Sequence, residues 1–274
     1  MPSIKKDPAN PFKTLATTLR WTRTSYALMS AFVLLIFLIM YVWQPLVEEY
    51  IATFNPDYPL WMQIDWLLIG IFAVMSLLIM ANANIKKDLP IIAIGFLGGL
   101  VIESWGTQTE LWTYYTNERP PLWIIPAWPI ASLSIDRLYR LLRRLTDGWP
   151  ERFFRASHWA LLTGFYALML IFVFPTISKS LTAAALLLCL FIIATPVNAR
   201  ASVLTFAAGA GLGYFLELWG TTRLTWTYYT FETPPLFAVL AHGMAAVAFW
   251  RVLDLYQKVA VNRRKPALMR NETA

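Results

Sequence analysis

With one cysteine, Cys189, the chain can form no internal disulfide and no cysteine-based zinc site, and cysteine usage says nothing of its redox compartment. Histidine is almost as scarce. His158 and His242 are the two present, and no His-x-x-x-His, Asp-x-x-Asp, phosphate-binding loop or nucleophile elbow occurs. Metal hydrolysis, magnesium-dependent prenyl-diphosphate chemistry and serine hydrolysis therefore lack the residues that would carry them. No metal or other cofactor is expected.

Charge is the third scarcity. Charged residues make up 14% of the chain against 58% hydrophobic, and a water-soluble fold of that composition would expose too much apolar surface. The composition predicts an all-α integral membrane protein. Its apolar runs approach the roughly 20 helical residues that cross a hydrocarbon core, and they predict eight transmembrane helices, at 26–43, 60–82, 89–105, 121–139, 158–175, 180–196, 201–219 and 235–256. The run from Tyr26 to Trp43 is too long for a signal-peptide core and leads into Gln44-Pro45 with no small-x-small site, so it reads as an uncleaved anchor.

The few charges are unevenly placed. A net charge of +7 could serve nucleic acid, yet of 23 Lys and Arg only Arg119, Lys179 and Arg223 fall on one side of the predicted membrane. That side also carries Glu48, Glu49, Asp57, Glu110, Glu118 and Glu232. The bias is the positive-inside pattern, which predicts both termini in the cytoplasm of a plasma (inner) membrane and no nucleic-acid partner.

What the chain does contain is a repeat. Glu103 to Leu122 reads ESWGTQTELWTYYTNERPPL, and Glu217 to Leu236 reads ELWGTTRLTWTYYTFETPPL, at a constant offset of 114. The shared letters are polar, aromatic or backbone-shaping, whereas duplication of a fold alone would mainly preserve an apolar pattern. Two similarly shaped sites facing outward are expected. The organisation read from this is a basic tail at 1–25, a first four-helix repeat at 26–140, a basic linker at 141–157, a second repeat at 158–256 and a basic tail at 257–274. Four spans per repeat is an even number, so the two enter the membrane in the same sense as parallel repeats.

Within each copy, Glu103 and Glu217 are the sharpest candidates for catalysis, because an ionisable residue in a span is costly and by default functional; the alternative is an interfacial residue that caps the following loop. Gly95, Gly99 and Glu103, like Gly209, Gly213 and Glu217, step by four along one helix face, where small residues admit a neighbouring helix or a flat ligand. Trp112, Tyr114 and Tyr115 with their copies Trp226, Tyr228 and Tyr229 are either an interfacial aromatic belt or the walls of a site. Gly106-Thr107 and Gly220-Thr221 are expected to end their helices, with glycine as the C-terminal cap. Pro129 is expected to kink span four. His158 is expected at the inner interface. The main difference between copies is Trp128 against His242, with Pro129 against Gly243. His242 could shuttle a proton where the indole could not, so Glu217 and His242 are read as the reactive half.

An acid at a helix end, then Gly-Thr, then a Trp/Tyr stretch and a proline-opened helix resembles the motif of the membrane carotenoid-biosynthesis proteins, a grouping of carotenoid hydratases and small-domain lycopene cyclases. Thr109-Glu110 and Arg223-Leu224 stand where a hydratase-like Thr-Gly pair would, and Pro126-Ala127-Trp128 where a cyclase-like Pro-x-Glu-Glu would. The resemblance implies an enzyme that protonates a long apolar isoprenoid or carotenoid through Glu103 or Glu217, with Gly99, Gly213, Trp128 and the aromatic positions lining its substrate. Two other classes stay open: a transporter or binding protein for a small solute using the same glutamates, and a non-catalytic scaffold subunit.

Overall fold

The computed structural model describes residues 16–271, with side chains described through residue 259. About three quarters of this is helix: α1 (Arg23–Val42), α2 (Gln44–Ala52), α3 (Leu60–Gln63), α4 (Trp66–Met80), α5 (Ile85–Thr109), α6 (Ala127–Leu145), α7 (Glu151–Phe172), α8 (Ser180–Ala194), α9 (Ala199–Thr222) and α10 (Leu236–Asn271). Two three-residue strands, β1 (Trp112–Tyr114) and β2 (Trp226–Tyr228), interrupt it. Among the described residues, four helices are long and apolar enough to cross a membrane: α1, α5, α9 and the Leu236–Val259 part of α10. The helices α4 and α8, at 15 residues each, are apolar but shorter.

Several starts are written in polar caps. The Thr22 hydroxyl accepts from the Ser25 N–H, Asp65 from that of Leu68, and Asn198 from that of Ala201, each satisfying a backbone donor with no partner inside the helix. The Asp65 cap explains why the expected span at 60–82 is broken: the chain is extended at Ile64, and α4 begins only at Trp66. The expected span at 121–139 is likewise displaced, since residues 122–126 form turns and α6 begins at Ala127. Pro129 then falls in the first turn, where a missing N–H breaks no bond, so no mid-helix kink follows. The helix α6 runs on to Leu145 and α7 starts at Glu151, so most of 141–157 is helical; α10 likewise continues to Asn271.

The chain forms two compact units that divide after Leu89. In the first, α1 and α4 lie together with the Phe32 and Phe72 rings edge to face at 6.0 Å. In the second, α9 packs against α6, α7 and α10 and is the most enclosed of the four long apolar helices. Its core is aromatic, with Phe172 stacked on Phe237 at 4.1 Å and Phe165 beside them. His158 lies in this unit as a buried side chain, with Nε2 3.2 Å from the Ile193 carbonyl oxygen.

A pair of carboxyl clusters on one local axis

The glutamates are near the C-terminal ends of α5 and α9, about one and a half turns before each helix stops, and both are buried. After each helix the chain reverses through a residue with positive φ, Glu110 at 63° and Leu224 at 55°. The Leu111 N–H then donates to the Gly106 carbonyl at 3.0 Å, and Thr225 to that of Gly220 at 2.9 Å. The glycines are therefore not the expected C-caps; the helices run past them to Thr109 and Thr222. Their missing side chains make room for an indole: a Cβ on Gly106 would lie 1.9 Å from Trp112 Cη2, and one on Gly220 2.0 Å from Trp226 Cζ2.

Folded back in this way, three side chains reach each carboxyl. Trp112 Nε1 donates to Glu103 Oε2 at 3.1 Å, the Tyr114 hydroxyl to the same oxygen at 2.9 Å, and Trp128 Nε1 to Oε1 at 3.1 Å. In the second copy Trp226 Nε1 donates to Glu217 Oε2 at 2.9 Å, the Tyr228 hydroxyl to Oε1 at 2.9 Å, and His242 Nε2 lies 2.9 Å from the same Oε1. Bonds of this kind to an ionised group contribute about 1.5–3 kcal/mol each, and they offset the cost of taking a carboxylate out of water. The Tyr114 and Tyr228 phenols are held well above their ordinary range, first by burial and then chiefly by the charge of Glu103 and Glu217 respectively, so they remain donors.

The clusters meet. Strands β1 and β2 pair antiparallel with Thr113 opposite Thr227 and Trp112 opposite Tyr228, so each residue of one strand faces its repeat partner's neighbourhood about a local twofold at Thr113. The Trp112 and Tyr228 rings sit 5.7 Å apart, as do Tyr114 and Trp226. Trp128 and His242 stack on each other at 5.6 Å with 17° between planes.

The glycine faces are closed by side chains and by a helix. A Cβ on Gly99 would lie 2.2 Å from Trp128 Cγ, one on Gly213 2.5 Å from His242 Cβ, and one on Gly209 2.7 Å from the His242 carbonyl oxygen. Tyr115 and Tyr229 stand apart from the carboxyls, half-exposed, with the Tyr229 hydroxyl donating to the Phe172 carbonyl. Sequence reasoning missed Trp105 and Trp219, which brace Trp112 and Trp226 edge to face; their presence in both copies of Trp-Gly-Thr was the available signal. Phe249, against Trp128 at 6.0 Å, carried no such signal. Among the described residues no three Asp, Glu, His or Cys side chains converge as metal ligands.

No family model, curated protein or solved structure matches this chain.

Proposed function

We propose that this protein is a multi-pass enzyme of the plasma (inner) membrane that protonates a carbon–carbon double bond of a long apolar isoprenoid, using Glu217 with His242 as its proton partner. In this reading eight helices cross the membrane as two four-helix repeats that enter in the same sense, with both termini cytoplasmic and the repeated motif outside. The carotenoid-biosynthesis resemblance supplies the substrate class.

The observation that carries the reaction is the 2.9 Å contact of His242 Nε2 with Glu217, at the position where the first copy has an indole. An indole N–H only donates, whereas an imidazole nitrogen can also accept. A proton shared between Glu217 and His242 thus has an acceptor on either side. In the reaction the Glu217 O–H bond breaks and the double-bond electron pair forms a C–H bond. The neighbouring carbocation is stabilised by the faces of the surrounding Trp and Tyr rings. It is discharged by losing an adjacent proton, or by capturing water that then loses one; either proton returns to Glu217, directly or through His242.

A central solute site is the second reading, favoured by the meeting of both carboxyl clusters on one axis. Extraction in native lipid followed by mass spectrometry separates the two. An isoprenoid held in near-stoichiometric amount, accumulating unreacted in Glu217→Gln, supports the enzyme. Bulk phospholipid alone, with uptake of a small solute by reconstituted vesicles, overturns it.

A further inference from the structure

We infer that the first copy of the motif serves the second as a brace: Trp128, anchored by Glu103, is a positioning residue that holds the His242 imidazole against Glu217. The inference rests on the reading of His242 as the proton partner, and it assigns the first carboxyl a different task from the second.

The indole is fixed on several sides. Its N–H is bound to Glu103 Oε1 at 3.1 Å. The bare face of Gly99 lies under it, so close that a Cβ there would fall 2.2 Å from Cγ, and the Phe249 ring meets it edge to face at 6.0 Å. Phe249 is itself seated on Gly98, where a Cβ would fall 2.1 Å from its Cε1. The remaining face of the indole is stacked on His242. The imidazole in turn has Gly213 behind it and Glu217 at its Nε2. Both rings are thus clamped between two glycine-bearing helices, and the hydrogen bond to Glu103 fixes the indole in its own plane. Removing Trp128 leaves His242 unsupported on one face, with rotamers available that leave Glu217. Holding a proton donor in its reactive geometry is worth a large factor in rate, which accounts for a first carboxyl, Glu103, that keeps three donors while its copy Glu217 meets an imidazole.

The chain has only two histidines, so the ring-15N,13C-histidine-labelled protein in lipid bilayers gives two imidazole spin systems, assigned with His158→Gln. In the unmodified protein the His242 ring protons are expected upfield, with magnetisation transfer to an indole ring and an Nε2 shift that reports the bond to Glu217. Trp128→Phe retains a stacked ring and most of that Nε2 shift. Trp128→Leu and Glu103→Leu lose it. In turnover, kcat falls in the two leucine variants with KM unchanged, and Trp128→Phe recovers part of it. An unchanged Nε2 shift in either folded leucine variant overturns the inference; if neither variant folds, absence of indole contact in the unmodified protein overturns it. Loss of the lipid chemistry with the spectra as described would remove the enzyme reading and leave the brace standing.

Discussion

Substituting Gly106 by alanine tests the geometry of the first cluster with a single methyl group. Its Cβ would sit 1.9 Å from Trp112 Cη2 and 2.0 Å from Cζ2, well inside contact distance. The helix cannot retreat, because the Gly106 carbonyl also accepts the Leu111 N–H that turns the chain back. The indole must yield, and in yielding it leaves Glu103 Oε2, to which it donates at 3.1 Å. Overpacking costs about 1–3 kcal/mol and the lost bond to the carboxyl about 1.5–3 kcal/mol. The better helix propensity of alanine returns only about 0.5–1 kcal/mol, so a net loss of roughly 2–5 kcal/mol is expected. Unfolding in mixed micelles measures it against Gly164→Ala, a site in α7 where an added Cβ meets nothing within 4 Å. That control should be neutral or slightly stabilising. A Trp112→Phe background should relieve much of the Gly106→Ala penalty, a coupling that a double-mutant cycle isolates. Equal stability of Gly106→Ala and Gly164→Ala would refute the fold of the motif described above.

Other outcomes follow from the same structure. The Tyr114 and Tyr228 phenols are raised in the folded protein and ordinary, near pH 10, in the unfolded chain; their contribution is complete below that pH and is lost as pH rises through the folded values. Stability should therefore decline above about pH 10, and Tyr114→Phe should make the decline shallower; an unchanged slope contradicts the assignment. On topology, cysteine placed at Asn117 should react with an impermeant reagent from outside and cysteine at Asp147 only from inside, and the reverse pattern would invert the charge argument. Gly213→Ala, whose Cβ would press within 2.5 Å of His242 Cβ, should reduce turnover by about tenfold or more, as a displacement of reacting groups by a fraction of an ångström does; full activity would show that the imidazole position is unimportant.

Much of this was legible in the chain because the site kept its letters. Glu, Trp, Tyr and the Trp128/His242 difference stand at one offset, so the participants could be read without a structure. The folding back of Trp112, Tyr114, Trp226 and Tyr228 onto the carboxyls could not. It depends on a reversal after each helix at Glu110 and Leu224, neither of which is a residue that announces positive φ. The strands were invisible for a related reason: three residues are too few to show alternation, and their partner lies 114 positions away. Gly106 was misread because a glycine near a helix end ordinarily caps it, whereas here it receives an indole. Pro129 was misread because span four was placed to begin at the proline pair rather than at Ala127. Long apolar stretches located α1, α5, α9 and α10 well, while the Asp65 cap set the start of α4 against the hydropathy pattern.

The most direct test of the central claim, that the copy with the imidazole does the chemistry, compares four variants on a long apolar isoprenoid supplied to the protein in lipid vesicles. Glu217→Gln removes the carboxyl and His242→Ala the imidazole that contacts it, whereas Glu103→Gln and Trp128→Phe keep an acceptor and a stacked ring in the first copy. The account predicts that the first pair abolishes turnover and that the second pair retains a measurable fraction of it, all four remaining folded. Loss of turnover confined to the Glu103 and Trp128 variants would contradict it.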